Sequence, residues 1–547
     1  MPRHSSWSDF DNLVTDTVCH KHIARAFAPC VVHSSEVHVM LSPPINRIRF
    51  RDPSFLLMYS PLQFAPGEIA KPDGSLSLAY LAGALRTAGY AVTILDCSVG
   101  NEKDTLEETF FSPRLLESGL VRLGMSEARI AEEVAKFDVV GVSSIFTSQT
   151  SMVLELIRLV KRADSEKLVI AGGVNSRSLR DRFFASGADV IAMSEAETTI
   201  VQIAEALRGK RNLTDVPGIA FRDEHGTEVI NPSAPAETDL DRLPLPAWDQ
   251  LPLEKYWAIS RPHGGQFQSG QRIKYASIQT SRGCPFQCLY CHISKEKETQ
   301  GDIGSLRVKS IDRVIRELDT LKSLGVEYVF FEDDSLFANK KRAYSLFKHV
   351  REMGLRLLDV NGINIVHLQR NSGGGVLSID NEFLEVLAEA GFQWLSLPFE
   401  SANQRILDKY ASSKWNLKRF DVPTLLKVLD TLNIKCSGHY MLGFPDETEA
   451  EIFSTIQMAK RHVEQGLDYA LFFSVVPFPG SALFDSVLNS GQLQPDFDPD
   501  QMRRTRSILS GLSMSPESLE AVRQLAWHLV NRSEYVEQRR EMALPHC

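Results

Sequence analysis

The stretch SRGCPFQCLYC, residues 281–291, places three cysteines at the spacing CxxxCxxC. Thiolates are the usual ligands of iron–sulfur clusters. Cys284, Cys288 and Cys291 can each bind one iron of a cubane, which leaves the fourth iron open to a substrate or a cofactor. The apolar run IKYASIQT at 273–280 predicts a strand directly before this loop. The sequence therefore predicts a metal site at a strand end, where parallel α/β folds place their sites.

A zinc site is the alternative interpretation of the three cysteines. His292 follows Cys291 directly and would supply the fourth ligand. Structural zinc sites usually present four ligands, often as two CxxC pairs. The spacing therefore favours a 4Fe–4S cluster, and zinc stays open as the alternative.

Six predicted strand–helix units extend from the cysteine loop toward the C-terminus. The run VEYVFF at 326–331 has the apolar character of a buried strand, and residues 310–324 have helical spacing. Repeated units of this kind fit an open or partial (β/α) barrel better than a second flat sheet. We expect the barrel at residues 271–490 and a small helical region, with a helix near 515–531, at residues 491–547.

An earlier alternation of strands and helices, over residues 54–210, predicts a separate domain. Apolar runs such as FDVVGVSS at 137–144 and KLVIAGG at 167–173 alternate with helical segments. This order predicts a parallel sheet that helices cover on both faces.

The segment at 211–270 is rich in proline and polar residues, and we expect it to be a linker. Trp248, Leu251 and Trp257 predict that this linker packs on a neighbouring domain. Residues 1–53 have no sustained periodicity and form an N-terminal extension of unassigned role.

The composition is that of a globular protein with two or three domains. The chain has 547 residues, of which 43% are hydrophobic and 24% charged, and a formal net charge of -9. This charge gives no sign of nucleic-acid binding. No apolar run is long enough to cross a bilayer, and the start, MPRHSSWSDFDNLV, lacks the apolar core of a secretory signal. We therefore expect a cytoplasmic protein without a nucleic-acid or membrane partner.

The cysteine motif and four further segments resemble the cobalamin-dependent (class B) radical S-adenosylmethionine (SAM) enzymes. The segments follow in order on successive predicted strands: FFEDDSLFAN at 330–339, LPFES at 397–401, HYMLGFPDET at 439–448 and VVPFPGSALF at 475–484. The resemblance covers about residues 54–490. It implies an α/β fold with an N-terminal Rossmann-like cobalamin-binding domain, a partial (β/α)6 radical SAM barrel and a small helical C-terminal region.

The resemblance also implies cofactor-binding residues in the barrel. The three cysteines bind a 4Fe–4S cluster, and SAM chelates its open iron. The candidates for SAM contact are Glu332, Asp333, Asp334, Glu400, Ser401 and Gly443. The first three follow the second strand, where a carboxylate can accept bonds from the SAM ammonium; a solvated acidic loop is the alternative. The next two end the fourth strand, where the family often contacts the ribose. Gly443 would lie near the adenine.

Three loops of the 54–210 domain resemble cobalamin-binding loops. GVSSIF at 141–146, IAGGVNS at 170–176 and SEAETT at 194–199 follow the third, fourth and fifth predicted strands. Ligands of such sheets bind at these carboxyl ends. The candidates for cobalamin contact are Ser143, Ser144, Thr147, Gly172, Gly173, Glu195 and Glu197. The alternative is that these residues only build turns of a domain that has lost its ligand.

Two features depart from the family pattern. The histidine-bearing segment DxHxxG is absent, and DCSVG at 96–100 is its equivalent, which implies a cobalamin without a histidine lower ligand. The family's GGxH occurs here with Asn175 in place of the histidine, and its GExE occurs with Ser194 in place of the glycine. The resemblance therefore does not fix the exact cobalamin contacts.

The resemblance implies a radical methyltransferase. One SAM methylates cob(I)alamin, a second yields a deoxyadenosyl radical, and the substrate radical takes its methyl group from methylcobalamin. An external electron donor such as flavodoxin or ferredoxin supplies the electrons. The alternatives are a non-methylating relative, such as an anaerobic cyclase, and a non-catalytic cobalamin- or redox-sensing protein. The intact cysteine triad, followed by the full series of strand-end motifs, argues against the sensor.

The expected substrate is a small biosynthetic intermediate, methylated at an unactivated carbon or phosphorus atom. The segment DVVGVSSIFTSQT at 138–150 resembles methyltransferases of fosfomycin biosynthesis, and a related group methylates phosphorus in phosphinothricin-type antibiotics. We therefore expect a phosphonate or phosphinate. The anion-binding candidates are Arg282, Arg307, Lys309 and His439.

Overall fold

Two parallel sheets follow one another along the chain in the computed structural model. The structure describes residues 50–543 apart from 73–74, 266, 268–270 and 372–376. Residues 1–49 of the predicted N-terminal extension and residues 544–547 lie outside the described residues.

The first sheet and a small side sheet are built from ten strands. They are β1 (Phe55–Tyr59), β2 (Leu62–Phe64), β3 (Val92–Asp96), β4 (Arg114–Leu115), β5 (Val121–Leu123), β6 (Val139–Ser143), β7 (Leu168–Gly172), β8 (Val190–Ala192), β9 (Ile219–Arg222) and β10 (Glu228–Ile230). The main sheet has the order β10-β9-β8-β7-β6-β1-β3, and β2, β5 and β4 form the side sheet. The intervening helices are Leu76–Thr87, Glu127–Val134, Thr150–Ala163, Val174–Ser178, Arg180–Ala185 and Glu197–Leu207.

Apolar cores on both faces explain the continuous apolar runs of this sheet. β1 and β6 are buried along their whole length. Phe55 and Leu57 of β1 belong to one core, whereas Leu56 and Met58 belong to the other, because successive side chains of a strand point to opposite faces. β3, β1, β6, β7 and β8 pair in parallel. The predicted α/β domain is therefore confirmed.

The second sheet is an open barrel. Its six parallel strands pair in the order β11 (Tyr275–Ile278), β14 (Tyr328–Phe331), β15 (Arg356–Asp359), β18 (Phe392–Glu400), β19 (Lys435–Leu442) and β20 (Tyr469–Ser474). Two short pairs, β12 (Ser281–Arg282) with β13 (Arg307–Val308) and β16 (Gln369–Asn371) with β17 (Leu377–Ile379), lie outside this sheet. The helices are His292–Thr299, Ile311–Ser323, Lys340–Val350, Asn381–Ala390, Gln404–Tyr410, Val422–Thr431, Glu449–Glu464 and Ala482–Asn489. The predicted partial barrel is confirmed.

The segment expected to be a linker contains structure that belongs to both sheets. β9 and β10 extend the first sheet antiparallel to β8, so this sheet continues to Ile230 rather than ending near residue 210. Further on, two buried indoles follow: Trp248 precedes the helix Leu253–Ile259, and Trp257 lies within it. Trp248 Nε1 donates to Ser277 O at 3.1 Å, and Trp257 Nε1 donates to Tyr275 O at 2.8 Å. The two tryptophans thus pack this segment on β11.

The C-terminal region contains the helices Pro516–Val530 and Ser533–Met542. Before these helices the chain returns to the first domain. Asp500 Oδ1 accepts a hydrogen bond from Ser151 N at 3.1 Å, and Arg503 Nη1 lies 2.7 Å from Glu68 Oε2. Because Ala470 N of β20 also donates to Asn531 Oδ1 at 2.7 Å, the C-terminal region contacts both domains. Among the described residues, none of the helices has the length and apolar character needed to span a membrane.

Candidate active site and cofactor-binding edge

The cysteine loop is fixed to the barrel by its first residues. Gly283 has a φ of +79°, and a Cβ built on it would lie 2.2 Å from Ser305 O. Its amide donates to Asp334 Oδ2 at 2.7 Å, and Cys284 N donates to Gly304 O at 3.0 Å. Only glycine fits this left-handed, crowded position. The start of the loop is therefore held in one conformation against residues 304–305.

The three thiols of the loop lie in largely desolvated surroundings. Cys288 is buried, and Cys284 and Cys291 are partly buried. Burial raises the pKa of all three, and that of Cys291 to about 12. Iron binding must therefore displace a proton from each thiol, as is usual for thiolate ligands. A set of three thiols on one loop fits a cluster with one iron left open.

His292, the fourth ligand of the zinc alternative, is engaged elsewhere. Its Nδ1 lies 3.2 Å from Glu296 Oε1, one turn along the helix that begins at His292. In the part of the chain that the structure describes, no group of three or more His, Cys, Asp or Glu side chains is arranged to hold a single metal ion. Of the two ring nitrogens of His292, the contact with Glu296 occupies one.

The three acidic residues after β14 have different surroundings. Asp333 is 1% exposed and accepts bonds from Thr280 N, Thr280 Oγ1 and Ser281 Oγ at 3.0, 2.7 and 2.6 Å. Asp334 holds Gly283, and burial raises its pKa to about 6. Asp333 and Asp334 therefore shape the cysteine loop, whereas Glu332 Oε1 lies 3.4 Å from His263 Nε2, with its side chain 26% exposed.

Glu400 lies beside the cysteine loop in a strained backbone conformation. Its φ is +62°, a value that non-glycine residues hold only when their surroundings impose it. Glu400 Oε1 accepts from Tyr290 OH at 2.8 Å and pairs with Lys414 Nζ at 2.6 Å. Tyr290 stands between Cys288 and Cys291 in the sequence. Lys414 was not predicted, and the polar sequence around it carries no signal for this role.

Ser401 and Gly443 have structural partners. Ser401 is fully buried, and its Oγ lies 3.4 Å from Thr455 Oγ1. Gly443 N donates to Glu447 Oε2 at 2.8 Å at the end of β19. SAM contact by either residue stays a prediction.

The loops after β6 and β7 pack tightly against each other. Ser143, Ser144 and Thr147 are buried. Asn175 Nδ2 donates to Ser144 Oγ at 2.9 Å, and Ser144 N donates to Gly172 O at 2.7 Å. A Cβ on Gly173, whose φ is +106°, would lie 2.3 Å from Ser144 O. These predicted cobalamin-binding residues thus join the two strand ends, and their contact with cobalamin stays a prediction.

Two apolar side chains at the same edge were not predicted. Ile145 and Phe146 follow β6 and are 37% and 40% exposed. Apolar residues directly after the two serines were the available sequence signal. Because a corrin is a large, mainly apolar macrocycle, exposed apolar side chains at the carboxyl edge of this sheet fit its binding.

Glu195 and Glu197 form ion pairs with the barrel domain. Glu197 Oε1 lies 2.5 Å from Arg282 Nη2, directly before the cysteine loop. Glu195 binds Arg307 through two bonds of 2.6 and 2.9 Å. These pairs occupy the carboxylates that were predicted to bind cobalamin. They also occupy two anion-binding candidates, Arg282 and Arg307.

The remaining anion-binding candidates differ in accessibility. Lys309 is 1% exposed and pairs with Glu317 at 2.6 Å. His439 is partly buried on β19, beside Pro398 of β18 and Leu471 of β20. Burial lowers the pKa of His439 to about 4, so its imidazole is neutral near pH 7. His439 is thus a hydrogen-bonding group rather than a cation.

Two family models match the two sheets. Residues 278–459 match the radical SAM superfamily, and residues 74–204 match the B12 binding domain. A cytidylyl-2-hydroxyethylphosphonate methyltransferase of Streptomyces wedmorensis is 27% identical over 467 residues, which cover 80% of this chain and 82% of that protein.

Solved structures share the fold. The radical SAM methyltransferase TsrM from Kitasatospora setae, solved with tryptophan substrate and a SAM analog, has a TM-score of 0.59 at 16% identity, with 82% of each chain covered. The cobalamin-dependent SAM radical enzyme OxsB, solved with aqua-cobalamin and SAM, has a TM-score of 0.64 at 15% identity and covers 87% of this chain and 66% of its own.

A B12-binding domain followed by a radical SAM barrel defines a class of enzyme, and this chain is a radical SAM enzyme of that class. The barrel implies a 4Fe–4S cluster and SAM, and the first domain implies cobalamin. Within this class, the chain is similar to a cytidylyl-2-hydroxyethylphosphonate methyltransferase over most of its length.

Proposed function

We propose that this chain transfers a methyl group from SAM, by way of cobalamin, to an unactivated carbon or phosphorus atom of a small biosynthetic intermediate. The observation that carries the proposal is the contact between the carboxyl edge of the first sheet and the cysteine loop. Glu197, after β8, binds Arg282, and Arg177, after β7, pairs with Glu296. A ligand bound at this edge would therefore lie next to the cysteine loop, because these ion pairs hold the edge and the loop together.

Cys284, Cys288 and Cys291 are the residues that would hold the cluster. When bound, the cluster and SAM would supply a radical initiator, and cobalamin would supply a methyl donor. Asp334 and Gly304 fix the backbone of the loop through Gly283 and Cys284. Glu400, held by Lys414, places a carboxylate beside the cysteine loop, where the proposal assigns it to the ribose of SAM.

The first domain would hold cobalamin against Ile145 and Phe146. Both side chains are exposed at the strand end, so a corrin can cover them without disturbing the core. The ion pairs between the two domains are largely buried, and exclusion of water from this boundary would favour radical chemistry by limiting side reactions.

We propose a phosphonate or phosphinate as the substrate. The similarity to the Streptomyces wedmorensis methyltransferase, whose name specifies a hydroxyethylphosphonate derivative, supports this class. His439 is the anion-binding candidate that supports it within the barrel, because its neutral imidazole can donate a hydrogen bond to a phosphonate oxygen. We also propose an external reductant, such as flavodoxin or ferredoxin, and a cytoplasmic location.

Anaerobic reconstitution with iron and sulfide tests the enzyme class. We expect the reduced protein to cleave SAM to methionine and 5′-deoxyadenosine, and Cys284→Ala to abolish cleavage. Cys436→Ala, which removes a buried thiol outside the loop, is the matched control and should cleave SAM normally. Absence of SAM cleavage by the wild-type protein would contradict the proposal that it is an enzyme. That result would favour a non-catalytic cobalamin- or redox-sensing protein.

Label transfer from SAM tests the methyl-transfer step. With ¹⁴C-methyl SAM and cobalamin, we expect the label on a phosphonate such as cytidylyl-2-hydroxyethylphosphonate. Cleavage without any labelled cobalamin would favour a non-methylating relative such as a cyclase. The methyltransferase name of the Streptomyces wedmorensis relative argues against that alternative.

A further inference from the structure

Buried ion pairs with the first domain lie on both sides of the cysteine loop. Arg282 stands two positions before Cys284, and Glu296 stands five positions after Cys291. Both side chains pair with residues at the carboxyl edge of the first sheet. The two pairs thus reach the loop from the domain that binds cobalamin rather than from the barrel.

The pair before the loop is part of a bridged set of charges. Arg282 Nη2 lies 2.5 Å from Glu197 Oε1, and Arg282 Nη1 lies 3.3 Å from Glu195 Oε2. Glu195 also binds Arg307 on the neighbouring strand β13. The side chains of Arg282 and Glu197 are 10% and 9% exposed. Charges this desolvated are stabilised only in a close, well-oriented pair.

The pair after the loop has the same degree of burial. Arg177 Nη2 contacts Glu296 Oε1, and their side chains are 10% and 9% exposed. Arg177 lies in the helix Val174–Ser178, directly after β7. Glu296 lies in the helix His292–Thr299, which continues the cysteine loop. This second pair therefore joins a different strand end to the other side of the loop.

These pairs are not needed to attach the loop to the barrel. Asp334 and Gly304 already fix Gly283 and Cys284 to barrel residues. The ion pairs instead determine where the loop lies relative to the first sheet. With one ion pair on each side of the cysteines, both the distance and the tilt between the loop and the first sheet are restricted.

We infer that the Arg282–Glu197 and Arg177–Glu296 pairs are a clamp that positions the cysteine loop against the cobalamin-binding edge. The inference rests on the proposed function and deepens it. Arg282, Glu197, Arg177 and Glu296 are positioning residues: they set the geometry between two cofactor sites without themselves binding the reacting atoms. A displacement of about 1 Å between reacting groups can lower a rate about a hundredfold.

Hydrogen exchange of the apoprotein tests the clamp without any cofactor. In Glu197→Gln we expect the amides of residues 281–291 to exchange about tenfold faster than in the wild type. In Glu296→Gln we expect the same acceleration at residues 292–299. In each variant, local opening of the segment no longer requires a charged pair to be broken. Lys161→Gln is the matched control. It removes a buried ion pair with Asp189, 2.7 Å long and 13% and 8% exposed, within the first domain.

The control should leave exchange at 281–299 unchanged. If exchange at these residues is also unchanged in Glu197→Gln and Glu296→Gln, the clamp is refuted. Glu195→Gln, at a side chain that is 21% exposed, is a milder variant that keeps the test valid if Glu197→Gln fails to fold. We expect it to give a smaller acceleration at 281–291, and no acceleration would again refute the clamp.

The reconstituted enzyme provides the second readout. We expect Glu197→Gln to bind iron as the wild type does and still to form 5′-deoxyadenosine, but to yield about tenfold less methylated product per 5′-deoxyadenosine. An unchanged ratio would overturn the positioning role. If the wild type methylates nothing, the proposed function fails, whereas the exchange experiment still decides whether the clamp exists.

Discussion

Replacing Gly283 by alanine should weaken both the fold and the iron site. An alanine at a φ of +79° costs about 1 to 2 kcal/mol. Its Cβ would also lie 2.2 Å from Ser305 O and 2.6 Å from Gly304 O, so these backbone carbonyls must move. That movement breaks the hydrogen bond from Cys284 N to Gly304 O, which contributes about 1 kcal/mol. The total loss is therefore about 2 to 3 kcal/mol.

Gly89 offers a matched control for Gly283. Its φ is +82°, but a Cβ there has nothing within 4 Å. Gly89→Ala should therefore lose only the conformational part, about 1 to 2 kcal/mol. Urea unfolding of the apoproteins measures the free energy of unfolding, and iron content after anaerobic reconstitution measures the site. We expect Gly283→Ala to bind less than about half the iron of Gly89→Ala, since the first cysteine is displaced.

Equal stability and equal iron content of the two alanine variants would refute a role of Gly283 in positioning the cysteine loop. Equal stability would mean that residues 304–305 yield to the new Cβ without cost. Equal iron content, with lower stability, would mean that the conformation of Gly283 does not determine the position of Cys284.

Three further predictions concern buried charge and the exposed edge of the first sheet. Burial raises the pKa of Asp359 to about 7. The folded chain therefore keeps a proton on Asp359 that the unfolded chain releases above about pH 4. As the pH rises from about 4 to 7, the free energy of unfolding should fall by about 2 to 4 kcal/mol. Asp359→Asn can keep the single oxygen that accepts from Ser396 N and Gly362 N and should remove that loss in urea unfolding at pH 5 and pH 8; equal pH dependence would contradict this. Lys414→Met leaves Glu400 buried without its cation and should cost about 3 kcal/mol, whereas Lys409→Met, at a side chain 50% exposed, should change stability by less than about 1 kcal/mol; similar losses would remove the basis for the Lys414 prediction. Phe146→Ser should change stability by less than about 0.5 kcal/mol but weaken cobalamin binding about tenfold in an absorbance titration of the apoprotein; an unchanged affinity would exclude Phe146 from the corrin surface.

Both sheets could be predicted from sequence because several of their strands are continuous apolar runs. β6 and β14 are buried along their whole length, and such runs are typical of strands covered on both faces. β9 was missed because its buried residues, Ile219–Phe221, form a run too short to stand out within a segment rich in proline and polar residues. Tertiary burial, rather than local periodicity, decides its structure.

The partners of the predicted site residues could not be predicted in the same way. Glu197 and Arg282 are 85 positions apart, and Glu195 and Arg307 are 112 apart. Their motif suggested a ligand, but only the approach of the two domains brings each carboxylate to a guanidinium. The cysteine triad needs no such information, because all three thiols lie on one loop.

The return of the chain to its first domain has a consequence for biosynthesis. Asp500 and Arg503 contact Ser151 and Glu68, more than three hundred positions earlier. Because domains tend to fold in turn as a chain leaves the ribosome, the first sheet can form long before these contacts exist. The boundary between the sheets is therefore completed only after residues 500–503 have been synthesised. Until then, the edge with Ile145 and Phe146 stays open on that side, which is when a large cofactor has the least obstructed path to it.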